Sequence, residues 1–206
     1  MKFLNCKIDL SKKVFQPRME TEYWVRKSLK ELKTENGKLK IKILDIFAGS
    51  GCIGIAILKN IQNSFVDFVD ISSKAIEQIK INLILNKIAK NRYKVIKSNL
   101  FEKVKEKYDF IFANPPYVAL KRINQVQKEV LKNEPKEALF AGPEGMFWIE
   151  KFLKESKKYL KPRGIIYMEF DPQQKEKIKK FLEKENFQFS FHKDQFKKYR
   201  WLKAQI

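Results

Sequence analysis

The sequence predicts an α/β protein, with a mostly parallel sheet of seven strands, helices on both faces and an antiparallel strand near the carboxyl terminus. Three observations carry this. Short apolar runs rich in β-branched and aromatic residues alternate with stretches whose apolar residues recur at helical spacing. The runs stop at small, polar or proline residues, which gathers the ligand loops of a parallel sheet at its carboxyl edge. The last two runs, Gln188 to Lys193 and Tyr199 to Ile206, have no glycine loop between them and most simply pair antiparallel.

A length of 206 residues suits one domain, here 1–206, with an arm and helix over 1–36 and the main core over 37–206. Hydrophobic residues at 44% argue against disorder, although 33% of residues are charged. Lys and Arg number 44 against 24 Asp and Glu, a formal net charge of +20. That favours an anionic partner, RNA or an RNA-containing assembly such as the ribosome. The lysines are spread along the chain, however, so a solvated surface is an equal reading. Cys6 and Cys52 are the only cysteines and His192 the only histidine. Disulfide scaffolds, zinc sites and histidine-based triads therefore have almost nothing to be built from, and no metal is expected. No uncharged run approaches the ~20 residues of a membrane span, and residues 1–13 lack a signal pattern. A monomer in a reducing cytoplasm, away from membranes, is the expectation.

Taken in order, Phe3, Ile8, Leu10, Val14 and Phe15 alternate loosely and predict a short extended arm. Pro17 stiffens the approach to a helix whose amino terminus suits Thr21 and its acidic neighbours. Val25, Ser28, Leu29 and Leu32 give that helix its stripe, and Asn36-Gly37 its end. Ile41 to Phe47 is the first core strand, Cys52 to Ile61 an apolar helix, and Phe65 to Asp70 the next strand. Ser72-Ser73 caps a helix to about Asn86 with a stripe of Ile76, Ile79 and Leu83. Strands follow at 93–97 and 108–113. The stretch 118–147 is polar and irregular, a lid or substrate loop, with a helix expected over Asn124 to Leu131. A helix carrying Ile149, Phe152, Leu153 and Leu160 then ends at Lys161-Pro162-Arg163-Gly164. Ile165 to Phe170 is a strand, 173–186 an amphipathic helix, and the terminal pair closes the chain.

Three of the strand-end loops carry chemistry. Phe47-Ala48-Gly49-Ser50-Gly51 joins a strand to a helix, and its small residues let a ligand approach backbone N–H groups at a helix start. No Lys-Ser or Lys-Thr follows, which argues against a phosphate-cradling P-loop. Asp70 ends the next strand about 20 residues on, where an acid grips ribose hydroxyls in nucleoside-binding α/β folds. Gly49, Gly51 and Gly54 also read as a dinucleotide pattern, but the antiparallel finish is unlike a plain dinucleotide domain. S-adenosylmethionine fits better. Asp45 and the glycine loop would hold its amino-acid end, Asp70 with Ile71 its ribose, and Asn99 with Leu100 its adenine.

The third loop is Asn114-Pro115-Pro116-Tyr117. Two prolines fix φ, remove two donors and keep Asn114 out of helical geometry. The Asn114 side-chain carbonyl and the Pro115 backbone carbonyl can then accept both hydrogens of a planar NH2 group, with Tyr117 stacked on it. Read alone, the tetrapeptide is equally a rigid turn that ends a strand.

D-I-F-A-G-S-G at 45–51, V-D-I-S at 69–72, S-N-L-F at 98–101 and N-P-P-Y at 114–117 together resemble the seven-stranded, Rossmann-like class I methyltransferases that modify planar nitrogens. F-Q-P-R-M-E-T-E at 15–22, E-P-K-E-A-L at 134–139 and Y-R-W-L-K-A at 199–204 are similar to the HemK-type enzymes among them. The resemblance spans residues 14–206. It implies methyl transfer from S-adenosylmethionine, leaving S-adenosyl-L-homocysteine, to the glutamine side-chain nitrogen in the Gly-Gly-Gln tip of a peptide chain release factor. Asn114, Pro115, Pro116 and Tyr117 would serve catalysis, and Arg18 and Thr21 would help bind the substrate. The alternative acceptor is an exocyclic amine of adenine or guanine in RNA or DNA. Three departures stand out. Phe47 replaces the family's usual first glycine, and Asn99 replaces a more usual Asp. Only 16 residues precede Pro17, where those enzymes usually carry a helical domain, so substrate docking is expected to be different or minimal.

Overall fold

In the computed structural model, which describes all residues except 36–39, 126–130, 132–133 and 136–137, one seven-stranded sheet organises the chain. A short hairpin, β1 (Lys2–Phe3) and β2 (Cys6–Lys7), precedes helix α1 (Met19–Glu35). The core runs β3 (Ile41–Ile46), α2 (Cys52–Asn60), β4 (Ser64–Asp70), α3 (Ser73–Leu85), β5 (Tyr93–Lys97) and β6 (Tyr108–Ala113). It continues through α4 (Phe147–Ser156), β7 (Leu160–Glu169), α5 (Lys175–Lys184), β8 (Gln188–Lys193) and β9 (Tyr199–Gln205).

Strand order is β5-β4-β3-β6-β7-β9-β8. The first five strands are parallel, and β9 lies antiparallel between β7 and β8. From β3 the chain winds outward through β4 and β5, then returns to the other side of β3 and winds the opposite way through β6 and β7. The reversal opens a crevice outside the carboxyl ends of β3 and β6, the place where open α/β sheets bind ligands.

Both faces of the sheet are buried, so its central strands carry apolar residues toward both faces rather than at alternate positions only. Ile43, Val66, Phe68, Phe110, Phe112 and Tyr167 meet α1, α2 and α3 on one face. Leu44, Ile46, Ile111, Ile166 and Met168 meet α4 and α5 on the other. The α1 stripe is buried as its spacing predicts, and Trp24 stacks between Phe112 and Trp201, with ring centroids 6.0 and 6.3 Å away. Ser72 caps α3 by accepting from the Ala75 N–H. The buried stripe of that helix is Ala75, Ile79 and Leu83, with Ile76 at its margin.

The arm is more ordered than its loose pattern predicts. Lys7 and Asp9 donate their backbone N–H groups to the side-chain oxygens of Asn86 and Asn82, and Lys12 donates to Gln78, a ladder of carboxamides along α3. Lys161-Pro162-Arg163-Gly164 does not terminate a helix as expected. It lies inside β7, where the register with β6 shifts between the pairs Tyr108–Leu160 and Phe110–Ile165. An irregular ladder tolerates a proline and a left-handed Arg163 (φ 63°) that a regular one would not. The expected helix end at Asn36-Gly37 and most of the expected helix from Asn124 to Leu131 lie outside the described residues; what precedes the latter is a 3-10 turn, Leu120–Gln125. No helix among the described residues is long and apolar enough to cross a membrane.

Candidate active site

At the crevice the loops enclose a cavity of about 1220 Å³, larger than the roughly 300–1,000 Å³ typical for one small ligand and therefore roomy enough for two. Every residue singled out above as a site candidate lines it except Asp45 and Gly51.

The loop after β3 is wound tightly, with Phe47, Gly49 and Gly51 all left-handed (φ 59°, 54° and 75°). A bulky residue takes that conformation only when neighbours hold it. The Phe47 ring is held by edge contacts with Trp148 and Phe152 of α4, at centroid distances of 6.4 and 6.0 Å, which gives this chain's departure at that position a packing role. A methyl group on Gly49 would meet nothing closer than 3.9 Å, so its backbone lies open to the cavity. One on Gly51 would press against Ile79 of α3 at 3.1 Å. Gly51 is thus needed for its turn and for its fit against α3, not for ligand approach.

Asp45 does not reach the cavity. It is 1% exposed and points the same way as Ile43, beneath α2, where its Oδ2 accepts the Gly54 N–H at 2.8 Å. Its Oδ1 has no hydrogen-bond partner among the described residues. Burial pushes this carboxyl up to about 8, against the pull of the Gly54 N–H and with a further push from Asp70. Asp45 braces the loop from below and is not among the residues that line the cavity.

Asp70 is placed as expected. Its Oδ2 accepts the Gly49 N–H at 2.9 Å and its Oδ1 the Ser72 N–H at 2.9 Å. Two backbone donors leave further lone pairs on a carboxylate that lines the cavity. Burial raises its pKa, and the N–H groups of Ser72, Gly49 and Ile71 oppose that rise. Beside it Ile71 is 57% exposed and offers an apolar cover. Across from these, Leu100 is left-handed (φ 47°), and Asn99 donates its NH2 to Glu102 at 2.7 Å, leaving its carbonyl end without that engagement.

The Asn114–Tyr117 loop is gripped by a residue the sequence did not single out. Glu169, at the carboxyl end of β7, is 1% exposed and accepts from Thr21 Oγ1 (2.6 Å), Trp24 Nε1 (2.7 Å) and the Tyr117 hydroxyl (3.1 Å). Thr21 in turn faces Asn114 Nδ2 at 3.4 Å. Burial raises the Glu169 pKa, opposed by those three donors and by nearby Arg200. Burial and the Glu169 charge hold the Tyr117 phenol protonated far above its usual range. The Tyr117 carbonyl accepts from Gln174 Nε2 at 2.9 Å. On the rim, Arg18 packs over Phe15 and pairs with Glu134 at 2.5 Å, joining the start of α1 to the 118–147 segment. Trp148 lines the cavity without a sequence signal, because its helix looks like any amphipathic one.

This sheet, with a glycine turn and an acid on one side of its switch point and a proline-stiffened carboxamide on the other, defines a Rossmann-like α/β fold whose strand-end loops surround one cavity. Solved structures share it. Ribosomal protein L11 methylase from Lactobacillus delbrueckii subsp. bulgaricus superposes with a TM-score of 0.65 at 19% identity, over 93% of this chain and 80% of that one. The hMettl16 catalytic domain gives 0.70 at 16% identity, over 97% and 74%. At these identities the likeness shows the fold, that of Rossmann-like methyltransferases. Residues 27–149 match the methyltransferase small domain family, and the chain belongs to that family. Its curated relatives include the release factor glutamine methyltransferase of Thermodesulfovibrio yellowstonii, 37% identical over 81% of this chain and 59% of that protein. That of Lactococcus lactis subsp. lactis is 32% identical over 97% of this chain and 72% of that protein. The chain spans about three-fifths of the length of the first of these relatives.

Proposed function

We propose that this chain transfers a methyl group from S-adenosylmethionine to the side-chain amide nitrogen of the glutamine in the Gly-Gly-Gln motif of a peptide chain release factor. The observation that carries the reading is the acceptor slot. Asn114, Pro115 and Tyr117, tied to a buried carboxylate, open on the same cavity as Gly49 and Asp70. The names of the relatives support release factor as the acceptor.

The residues present fit the cofactor. Asp70 retains lone pairs for a vicinal diol, Gly49 presents open backbone, Ile71 and Leu100 offer apolar surfaces to a flat base, and Asn99 keeps a carbonyl for an exocyclic amine. When bound, S-adenosylmethionine supplies a methyl group on a positively charged sulfur that leaves as neutral S-adenosyl-L-homocysteine. The chain's own task is the acceptor. An amide nitrogen is a poor nucleophile because its lone pair is delocalised, and the described residues of the cavity wall include no strong base. Glu169 already accepts three hydrogen bonds. Catalysis therefore rests on positioning. The Asn114 and Pro115 carbonyls accept the two N–H bonds and aim the lone pair, Tyr117 excludes water, and the surplus proton passes to solvent.

The charge of +20 favours a second acceptor class, an exocyclic amine of adenine or guanine in RNA or DNA. A methyl-transfer assay comparing a release factor, its Gln→Ala tip variant and bulk RNA separates them. Mass spectrometry should place one methyl on the tip glutamine. Methylated base with unmodified release factor would replace the first reading by the second.

A further inference from the structure

Glu169 and Thr21 are both 1% exposed, although Thr21 borders the cavity. Thr21 belongs to α1 and Glu169 to β7, yet their oxygens are 2.6 Å apart and the Asn114 carboxamide follows at 3.4 Å. The direction of each bond in this chain is fixed by counting hydrogens. Trp24 can only donate, and it donates to Oε2. The Tyr117 hydroxyl donates to Oε1. Three donors converge on one carboxylate, a setting that favours its ionised, acceptor-only form. Thr21 has a single hydroxyl hydrogen and gives it to Glu169. Only lone pairs of Thr21 then remain to face Asn114, so the NH2 end of that carboxamide must turn toward Thr21.

We infer that the Glu169–Thr21 pair is a polarity relay. It turns the Asn114 carbonyl toward the acceptor and so makes the slot selective for a group that brings N–H donors. The inference rests on the acceptor reading above and deepens it, with Thr21 acting as a positioning residue through Asn114 and not as a substrate contact. Reversed, the carboxamide would present its own N–H groups to those of the acceptor amide, and two donors face to face repel. An acceptor with oxygen in place of the NH2, a glutamate for example, is disfavoured by the same polarity. Because Glu169 also holds the Tyr117 hydroxyl, one buried group sets both the orientation of the hydrogen-bonding edge and the position of the ring beside it.

The test compares Thr21→Val, which keeps the shape and removes the hydroxyl, with Thr21→Ser, which keeps the hydroxyl. Thr21→Val should lower kcat by about 10- to 100-fold, the scale of lost alignment, while affinity for S-adenosyl-L-homocysteine is retained. Thr21→Ser should recover most of the loss. In an Asn114→Ala background Thr21→Val should cost nothing further, because the group it positions is gone. The second readout needs no acceptor. The Asn114 side-chain 15N–1H2 resonances of the unliganded protein should shift in Thr21→Val and stay close to wild type in Thr21→Ser. Should Thr21→Val melt early, Thr21→Ala carries the same comparisons. Unmoved resonances, or additive effects in the Asn114→Ala background, overturn the relay. Shifted resonances in a wild-type protein that leaves release factor unmethylated keep the relay and reject the acceptor instead.

Discussion

Removing the Asp70 carboxylate tests the proposed cofactor half of the site. In the folded chain its two oxygens each take one backbone N–H, from Gly49 and Ser72, at 2.9 Å. A carboxylate has about four acceptor positions, so roughly two remain for ribose hydroxyls. A hydrogen bond to a charged group contributes about 1.5–3 kcal/mol. Asp70→Ala should therefore weaken S-adenosyl-L-homocysteine binding by about 12- to 140-fold, measured by calorimetry. The substitution also frees the Gly49 N–H, so part of the loss could come from a looser loop. An analogue lacking the ribose hydroxyls tells the two apart: the Asp70→Ala penalty should shrink for it if the carboxylate grips the sugar. An unchanged Kd for the natural product, in a variant with the wild-type melting temperature, would remove Asp70 from the binding site. An undiminished penalty with the analogue would assign it to the loop alone.

Gly54→Ala should destabilise the fold by about 1–3 kcal/mol in a urea melt, because a methyl there would sit 2.3 Å from the buried Phe68 ring; a change under about 0.5 kcal/mol would show that α2 can move off β4 freely. Asp45 yields a pH dependence. Its folded pKa, raised to about 8 from 3.8, means the folded chain holds the proton more tightly, so the wild type loses this contribution as pH rises through that window. Asp45→Asn carries no such charge and should gain in melting temperature relative to wild type from about pH 4 to about pH 8. A difference that is flat with pH would mean the buried carboxylate does not titrate there.

Much of this architecture is legible because parallel strands buried on both faces write themselves as short apolar runs with hard stops. Strands 93–97 and 108–113 fall where those runs predict. Where punctuation misleads, it does so for a physical reason. Lys161-Pro162-Arg163-Gly164 has the composition of a helix terminator, but an irregular ladder absorbs the same residues inside β7. The cavity loops are legible because the carboxyl-edge rule needs only strand ends. The burial of Asp45 beneath α2 was legible in the same alternation that defines a strand: it shares parity with Ile43, which faces α2, and not with Leu44 and Ile46 on the other face. Glu169 had no local signal at all. Its partners Thr21 and Trp24 are 148 and 145 residues away along the chain, and only the sheet brings them together.

That distance also resolves an apparent conflict of charge. A chain of +20 would be a poor host for a sulfonium and an ammonium group if its charges were evenly placed. They are not. Asp70 and Glu169 end β4 and β7, so two carboxylates converge on the carboxyl edge of the sheet, while Asp45 in β3, raised to about 8, is mostly protonated at neutral pH and adds little charge. Screening by salt is weak for such groups and strong for exposed lysines. Ionised, these two acids set a short-range field at the carboxyl edge that suits the proposed cationic cofactor, and the lysines set a long-range field of the opposite sign. The two fields act on different ligands at different distances, so a basic surface and a cationic cofactor are compatible in one molecule.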